Sequence, residues 1–533
     1  MKRPLLFASL LLFVSGLFAQ PSFEPYHIYI EEVEIAGAPA LQSYAWGRHG
    51  TKWLMLGGVT NGLHDHRPPF SFRAADRNTN IYVVDYSAGT VWSAPVSALP
   101  APLAGQLSST NMQFQQVGDF LIVTGGYGYD ETAADWITHP RLTAINVPGL
   151  IAAIEAGADI NPHFSSLEDE QMAVTGGQMG YLGGEFYLVG GQRFTGRYNP
   201  HNGPSFVQEY THAIRKFKIA EDDGQIMVTD FSETVDAQHL RRRDYNMLPQ
   251  VFPDGQAGYT VFSGVFRPDI DLPWLNTVDV RPDGYSVISD FEQLFNQYHT
   301  AHLPLYDETF NVMHNHFFGG IALYFVDGEG NVMLDSLVPF TRSVSRVTRL
   351  ADGSMEESLL DWEMPALLGA SAEFIPAAGI PETDHGIIRL QELPDEPVVA
   401  GHIYGGIESS QANIFMQATG SSAASGRIFR VWIHKGVSGE SFLVSVPSPG
   451  LIKRYFPNPA SDELIVEGTA AANQLITVSL IGMKGQIMRE QELRTASDGS
   501  FDTRLGLKSI PAGLYFLSVR AGAQTEVKRV LVE

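Results

Sequence analysis

The sequence contains no cysteine, which removes disulfides, thiol nucleophiles, iron–sulfur clusters and cysteine zinc sites together. Stability must then come from packing or from an ion held by oxygen or imidazole, and of these packing is expected, with no cofactor or metal. Charge is also scarce: 18% of residues are charged against 44% hydrophobic, the balance of a folded chain rather than a disordered one. What charge there is leans acidic, with 35 Lys and Arg against 59 Asp and Glu for a net −24. A phosphate backbone is repelled by that field, so nucleic acid is not an expected partner. Beyond the N-terminus no apolar run approaches the about 18 residues of a membrane-spanning helix. The G-x-S-x-G elbow, the Walker loop, the H-E-x-x-H helix and the EF-hand loop are all missing.

What is present begins with MKRPLLFASLLLFVSGLFAQ. Lys2 and Arg3, an apolar run from Leu5 to Val14 and small residues up to Ala19 form a secretory signal peptide, expected at 1–19, with the cut after Ala19. At 533 residues the rest is long enough for one large unit and a small one.

Most of that length reads as strand. Runs rich in Val, Ile, Tyr, Phe and Thr recur between Gly, Pro, Asn and Asp clusters: WLMLGG at 53–58, IYVVDY at 81–86, FLIVTGG at 120–126, EFYLVGG at 185–191, YTVFSG at 259–264, HFFGG at 316–320 and HIYGG at 402–406. Glycine pairs begin at 57, 125, 190, 319 and 405, and Ser263-Gly264 fills the one wide gap, giving six units with steps of 68, 65, 73, 56 and 86 residues. A repeat of this kind signals radial architecture, in which each sheet buries its faces against its neighbours. The glycines have a physical role: a Cβ at the end of an inner strand would strike the adjacent sheet, and a positive φ is required.

The apolar–apolar–Gly–Gly signature, followed in the first unit by IYVVDY and then Trp92, resembles kelch repeats, which form β-propellers. The later units keep the glycines but mostly lose the Tyr and Trp partners, and the steps exceed the usual kelch length. The expected fold is therefore all-β: a six-bladed kelch-like β-propeller over 20–436, with YHIYIEEVEI at 26–35 closing the ring against the last unit, which removes an exposed sheet edge. Seven blades and an open array of sandwiches are the alternatives.

The excess length of the units falls after the glycine pairs, in loops carrying aromatics with Arg, His and Asp, the inventory of a site for a small polar molecule or glycan. The expected ligand-binding residues are His64, Asp65, His66, Tyr127, Tyr129, Arg193, Arg197, Arg267 and Trp274. Arginine suits a carboxylate, Tyr and Trp stack on a sugar, and His64 and Asp65 exchange hydrogen bonds. Polar surface loops of an ordinary secreted protein have the same composition. His64-Asp65-His66 and His314-Asn315-His316 carry ligand-type side chains, but each lacks a third metal ligand. Arg241-Arg242-Arg243-Asp244, locally basic in an acidic protein, reads as a solvated or salt-bridged turn, with a run that faces the channel as the alternative.

After RIFRVWIHK at 427–435 comes a Ser-, Gly- and Pro-rich linker, expected at 437–450, and then YFPNPASDELIVEG. Phe456-Pro457-Asn458-Pro459 cannot continue a helix or a central strand, so the chain restarts there. Tyr455, Pro457, Asn458, Pro459 and Asp462, then Gly485 with Ile487, Gly513 with Tyr515, and Lys528 occur in that order. The pattern resembles the C-terminal sorting domain of type IX secretion cargo, over 451–533. The resemblance implies a small immunoglobulin-like β-sandwich, passage through the periplasm of a Gram-negative bacterium, and recognition by an outer-membrane translocon. It further implies removal of the tail by a sortase, and a mature protein released outside or attached to surface lipopolysaccharide.

Two classes of function are compatible with this organisation. One is a secreted or cell-surface propeller that binds a glycan or protein through loops on one face. The other is a carbohydrate-active enzyme, glycosidase-like or resembling the exported sialic acid epimerases, which by that likeness would use Arg48, His49, Arg243 and Glu373 at the channel mouth. Lack of cysteine excludes the Tyr–Cys cofactor of galactose oxidase relatives, and the Asp-box of sialidases is missing.

Overall fold

The computed structural model describes residues 25–65, 70–199, 205–328, 330–414, 420–439, 441–443, 451–482, 486–522 and 524–532, with Phe23 and Pro68. The expected signal peptide, His66 and Gly485 lie outside the described residues. The chain separates into two units, 1–443 and 444–533, and both are built from β-strands.

Among the described residues the larger unit has six sheets, numbered 1 to 6 here, each with four main antiparallel strands side by side; two further sheets stand outside this set, a four-stranded one in the order Val207–Tyr210, Gln192–Thr195, Asp135–Thr138, Tyr127–Asp130 and a two-stranded one of Tyr324–Val326 and Val332–Leu334. In sheets 1 to 5 those strands follow chain order. Sheet 1 comprises Ala45–His49, Lys52–Leu56, Asn80–Asp85 and Thr90–Pro95. Sheet 2 comprises Gln113–Val117, Phe120–Thr124, Arg141–Asn146 and Phe164–Glu168. Sheet 3 comprises Gln178–Leu182, Glu185–Val189, Ala213–Asp222 and Gln225–Val235. Sheet 4 comprises Asn246–Val251, Ala257–Phe262, Thr277–Arg281 and Gly284–Ile288. Sheet 5 comprises His302–Asp307, Val312–Ile321, Phe340–Arg349 and Met355–Glu363, with Ser441–Leu443, from the expected linker, pairing at its outer edge. Sheet 6 takes Leu367–Pro376, Val398–Ser409 and Ile428–Lys435 and is completed by the N-terminal strand Tyr26–Val33, paired with Ile428–Lys435 along its whole length.

The second strand of each sheet does not alternate apolar with polar, because both of its faces are covered; in sheet 5 the buried set includes His314, Asn315 and His316. Side chains alternate across a strand, and in Lys52–Leu56 the two sets enter different cores. Leu54 and Leu56 pack with Leu121 and Val123 of sheet 2, while Trp53 and Met55 pack with Ile375 and Tyr404 of sheet 6. The same rule links sheet 2 to 3 through Ile122 and Leu188, and sheet 3 to 4 through Tyr187 and Val261. Sheet 4 meets 5 through Phe262 and Phe317, and sheet 5 meets 6 through Phe318 and Ile403. The six cores return to the first sheet.

A second closed circuit runs through the backbone that leads into sheets 1 to 5 and through Ser371 in the first strand of sheet 6. Asn111 N–H donates to Ser43 O (3.1 Å), Gly176 to Asn111 (3.2 Å), Asp244 to Gly176 (2.8 Å), His299 to Asp244 (3.0 Å), Ser371 to His299 (2.8 Å) and Ser43 to Ser371 (3.3 Å). Each bond contributes only about 1 kcal/mol net, so the cores supply the stability and this ring fixes where the six segments meet.

The glycine pairs stitch neighbouring sheets. In all six units both residues have φ between +56° and +100°, Ser263 included. The second residue donates its N–H to the lead-in of the next sheet in five units: Gly58 to Ser109 O, Gly126 to Val174 O, Gly191 to Arg242 O, Gly264 to Gln297 O and Gly406 to Leu41 O. Space is as restrictive as dihedral angle: a Cβ on Gly125 would lie 1.8 Å from Val174 O.

The smaller unit has a three-stranded sheet (Ile452–Phe456, Glu463–Thr469, Ser500–Gly506) and a four-stranded one (Leu475–Gly482, Ile487–Arg494, Gly513–Ala521, Gln524–Val532). Leu464, Val466 and Leu505 of the first share a core with Val478, Leu480, Leu517 and Val530 of the second.

Candidate functional site

The ring of lead-in segments borders a cavity of about 670 Å3. Ser43, Asn111, Asp244, His299 and Ser371 all line it, so five of the six ring residues reach the cavity. Tyr198, Tyr210, Tyr298, Phe72 and Phe266 supply aromatic surface, and Gln208, Arg241, Arg243 and Asp271 supply polar groups.

The polar groups are held in place by one another. Arg243 donates to Asp244 Oδ2 and, through Nε, to Tyr210 OH at 3.2 Å. Burial opposes its charge, but Asp244 and Tyr210 outweigh that and raise its pKa, so it remains a cation. Arg241 donates to Phe266 O and lies 3.7 Å from the centre of the Tyr210 ring, a cation–π contact that fixes both side chains. At the ring, His299 Nε2 is 3.1 Å from Glu373 Oε1, and Trp46 Nε1 donates to Glu373 Oε2 at 3.2 Å. Burial pulls the His299 pKa down, while the carboxylates of Glu373 and Asp244 more than reverse this and hold it above the ordinary histidine value. Burial raises the Tyr198 and Tyr298 phenols, so both stay neutral donors.

Of the residues expected from sequence, His64 faces this cavity, stacked on Phe72 with ring centres 4.6 Å apart. Asp65 does not line it. Tyr127 is buried in a scaffold role: its hydroxyl donates to Gly196 O (2.8 Å) and accepts from Tyr198 N–H (3.0 Å), which positions Tyr198 at the cavity. Tyr129 packs on Trp136, and Arg197 lies 4.4 Å from the Trp136 ring while donating to Ser71 O. Arg193 is paired with Glu170 at 2.7 Å. Arg267 and Trp274 line a separate recess. Of the four residues suggested by enzyme likeness, Arg243 borders the cavity and Glu373 contacts His299 beside it. Arg48 instead bonds Glu382 and the Pro376 and Ala377 carbonyls, and His49 is exposed at a strand end.

At 241–244 the salt-bridged reading holds for Arg243 with Asp244, while the solvated one gives way to the channel-facing alternative. Arg241 and Arg243 enter the cavity, whereas Arg242 is 1% exposed and donates to His239 O, Ser263 O and both oxygens of Asn276. Burial lowers the Arg242 pKa to about 9. The carbonyls around it satisfy its N–H groups, which is what makes a buried guanidinium tolerable. His314 and His316 are interior packing groups: His316 bonds Tyr26 OH (3.0 Å) and His314 bonds Thr348 Oγ1 (3.1 Å). Burial depresses both pKa values, that of His316 to about 3.

In the smaller unit the sequence motif gathers at the last strand. The Asn458 side chain accepts from Leu531 N–H (2.9 Å) and donates to Arg529 O (3.4 Å), and Ala460 N–H donates to Leu531 O (2.8 Å). Pro457 and Pro459 flank the asparagine that imitates a neighbouring strand. Tyr455 packs against the shared core, Tyr515 OH donates to Pro511 O (2.8 Å), Leu507 N–H donates to Asp462 O (2.8 Å), and Lys528 pairs with Glu526 (2.9 Å). Gly513 opens the strand paired with Gln524–Val532.

Residues 454–533 match the family model described as the secretion system C-terminal sorting domain. The tail is a C-terminal sorting domain. This sorting domain makes the protein cargo of the type IX secretion system, handled by that machinery and exported to the cell surface or extracellular space. No helix among the described residues is long and apolar enough to cross a membrane. Among curated proteins no match is found. Among solved structures, one described as "Structure of YjhT" is 10% identical with a TM-score of 0.42, over 75% of this chain and 99% of that one; so loose a likeness carries no argument.

Proposed function

We propose that the larger unit is a six-bladed, kelch-like β-propeller which, once exported, binds a neutral carbohydrate in its axial cavity. Sheets 1 to 6, the six cores that join them in cyclic order and the closed backbone ring support the blade count, with the four-stranded sheet of Tyr127–Asp130, Asp135–Thr138, Gln192–Thr195 and Val207–Tyr210 read as loop structure outside the blades. The sandwich of the sorting domain is read as immunoglobulin-like. The boundaries 20–436, 437–450 and 451–533 are proposed for propeller, linker and sorting domain, with Ser441–Leu443 of the linker joining the edge of sheet 5.

One observation carries the ligand class: the wall of the cavity sets Tyr198, Tyr210 and Tyr298 beside Arg241, Arg243, Asp244, Asn111 and Gln208. Aromatic faces pack on the C–H surface of a pyranose, and hydroxyl groups, which both donate and accept, need donors and acceptors mixed in this way. The charges cancel, Arg241 and Arg243 against Asp244 and Asp271, so an ionic ligand gains nothing overall. The volume falls within the roughly 300–1,000 Å3 of small-molecule sites. The test is a glycan array probed with the full chain and with the Asp244→Asn and Tyr198→Ala variants. Neutral glycans should bind, and each variant should weaken them at least about tenfold. Binding that ignores both changes refutes the assignment.

A carbohydrate-active enzyme is the second reading, favoured by Asp244, His299 and Glu373 meeting at the ring. Turnover of a bound sugar, followed by NMR and lost in His299→Ala with binding retained, distinguishes it from simple binding. The sortase is read as removing the sorting domain outside the cell, leaving a released or lipopolysaccharide-attached form. Mass spectrometry of the mature protein should then find no peptides from 451–533.

A further inference from the structure

The axial cavity has a neighbour. A recess of about 680 Å3, lined by Gln238, His239, Arg267, Trp274, Asn276 and Glu292 among others, adjoins it through consecutive residues of the chain. Phe266 lines the cavity and the next residue, Arg267, lines the recess. Arg241 lines the cavity while its carbonyl accepts Trp274 Nε1–H from the recess side at 3.2 Å.

Trp274 is half-exposed and held rigidly. Besides that hydrogen bond, the buried Arg242 guanidinium sits 4.5 Å from its ring centre. An aromatic ring fixed before the ligand arrives loses little freedom on binding, which is what a stacking platform requires. Beside it, Asp236 Oδ2 takes His239 Nδ1 at 2.9 Å and Tyr285 OH at 2.8 Å, which orients the imidazole by its other edge. Gln238, Asn276 and Glu292 add donors and acceptors, and Arg267 is neutralised by Asp269 at 2.7 Å. The recess thus repeats much of the chemistry of the cavity, an aromatic face with mixed hydrogen-bonding groups and an Arg–Asp pair, with Glu292 as an added acid.

We propose that the ligand is an oligosaccharide, one unit of which sits in the axial cavity while the chain crosses the Arg241–Phe266 ridge and lays a further unit on Trp274. This rests on the carbohydrate reading of the cavity. The test is calorimetric titration of the full chain with neutral β-1,4-linked glucose, mannose and xylose series of one to four units. With the series that binds, affinity should rise at least about tenfold from one unit to four. Trp274→Ala should abolish that gain and leave monosaccharide affinity within about twofold, which also reports that the variant is folded. Should Trp274→Ala fail to fold, Trp274→Phe and the exposed Gln238→Ala carry the test, each expected to reduce the gain several-fold. A gain that survives these changes, or monosaccharide binding with no gain on lengthening, overturns the oligosaccharide proposal and leaves the cavity reading standing. No binding by any sugar overturns both.

Discussion

The stitching of sheets by glycine pairs makes a quantitative demand at Gly125. Its φ of +65° and the 1.8 Å approach of a Cβ to Val174 O are separate obstacles, and Gly157 separates them. Gly157 ends the helix Val147–Ala156 with φ +62° and has nothing within 4 Å of an added Cβ. Gly157→Ala therefore meets only the left-handed penalty of about 1–2 kcal/mol, partly offset by about 0.4–1 kcal/mol from the restricted unfolded chain. Gly125→Ala meets the same terms and must also displace Val174 O, which accepts Gly126 N–H at 2.9 Å. Leaving those buried groups unpaired costs about 1–3 kcal/mol more, and moving the strand adds to it. The expected losses are about 3–5 kcal/mol for Gly125→Ala and under about 1.5 kcal/mol for Gly157→Ala. All seven tryptophans precede residue 433, so guanidinium unfolding followed by tryptophan fluorescence reports the larger unit alone. The comparison rests on midpoints at unchanged slope. Equal losses within about 0.5 kcal/mol would refute the argument that the glycines permit close approach between sheets.

Three further outcomes follow from buried polar groups. Burial raises the Glu357 carboxyl to about 8 despite hydrogen bonds from Leu294 and Phe295 N–H. The folded state then holds a proton that the unfolded chain releases near pH 4.5. Stability should fall by on the order of 4 kcal/mol as pH rises from about 4.5 to 8 and flatten above; unfolding midpoints across that range should show a slope that Glu357→Gln lacks, and parallel slopes would contradict it. The His299–Glu373 pair has the opposite charge logic: its stabilisation is complete below the ordinary histidine pKa and disappears as pH rises through the raised value. An NMR titration of the His299 ring should move down in Glu373→Gln, and an unchanged curve would remove Glu373 as the cause. In the sorting domain, Asn458→Ala should speed hydrogen exchange at the Leu531 amide about tenfold, the equivalent of about 1.4 kcal/mol, without altering the tryptophan-reported transition; an unaltered exchange rate would show that Asn458 does not hold the last strand.

The repeat was legible because it depends on residue type. Only glycine, or an occasional Ser263, fits two consecutive left-handed positions beside a neighbouring sheet, so the pairs mark six units in the sequence. The inner strands were legible because both faces are covered, which makes them short apolar runs. The ring that organises the cavity left no mark. It uses N–H and C=O groups, which every residue except proline carries, and so tolerates Ser43, Asn111, Gly176, Asp244, His299 and Ser371 at equivalent places. For Arg241 to Asp244 the sequence favoured a solvated or salt-bridged turn over a channel-facing run, because charge in sequence does not reveal that Arg242 finds carbonyl partners inside. Tyr127 and Arg197 had the expected chemistry but spend it on Gly196, Tyr198, Trp136 and Ser71. The tail was legible through its motif, in which Asn458 between two prolines uses both ends of its amide on the last strand.

The most direct test of the central claim is a crystal structure of the full chain soaked with the neutral sugar it binds best. Density for a pyranose against Tyr198 and Tyr210, hydrogen-bonded to Arg243 and Asp244 beside the six-bond ring, is the expected result. A sugar bound elsewhere with this cavity empty, or segments that do not close into a ring of six, would contradict it.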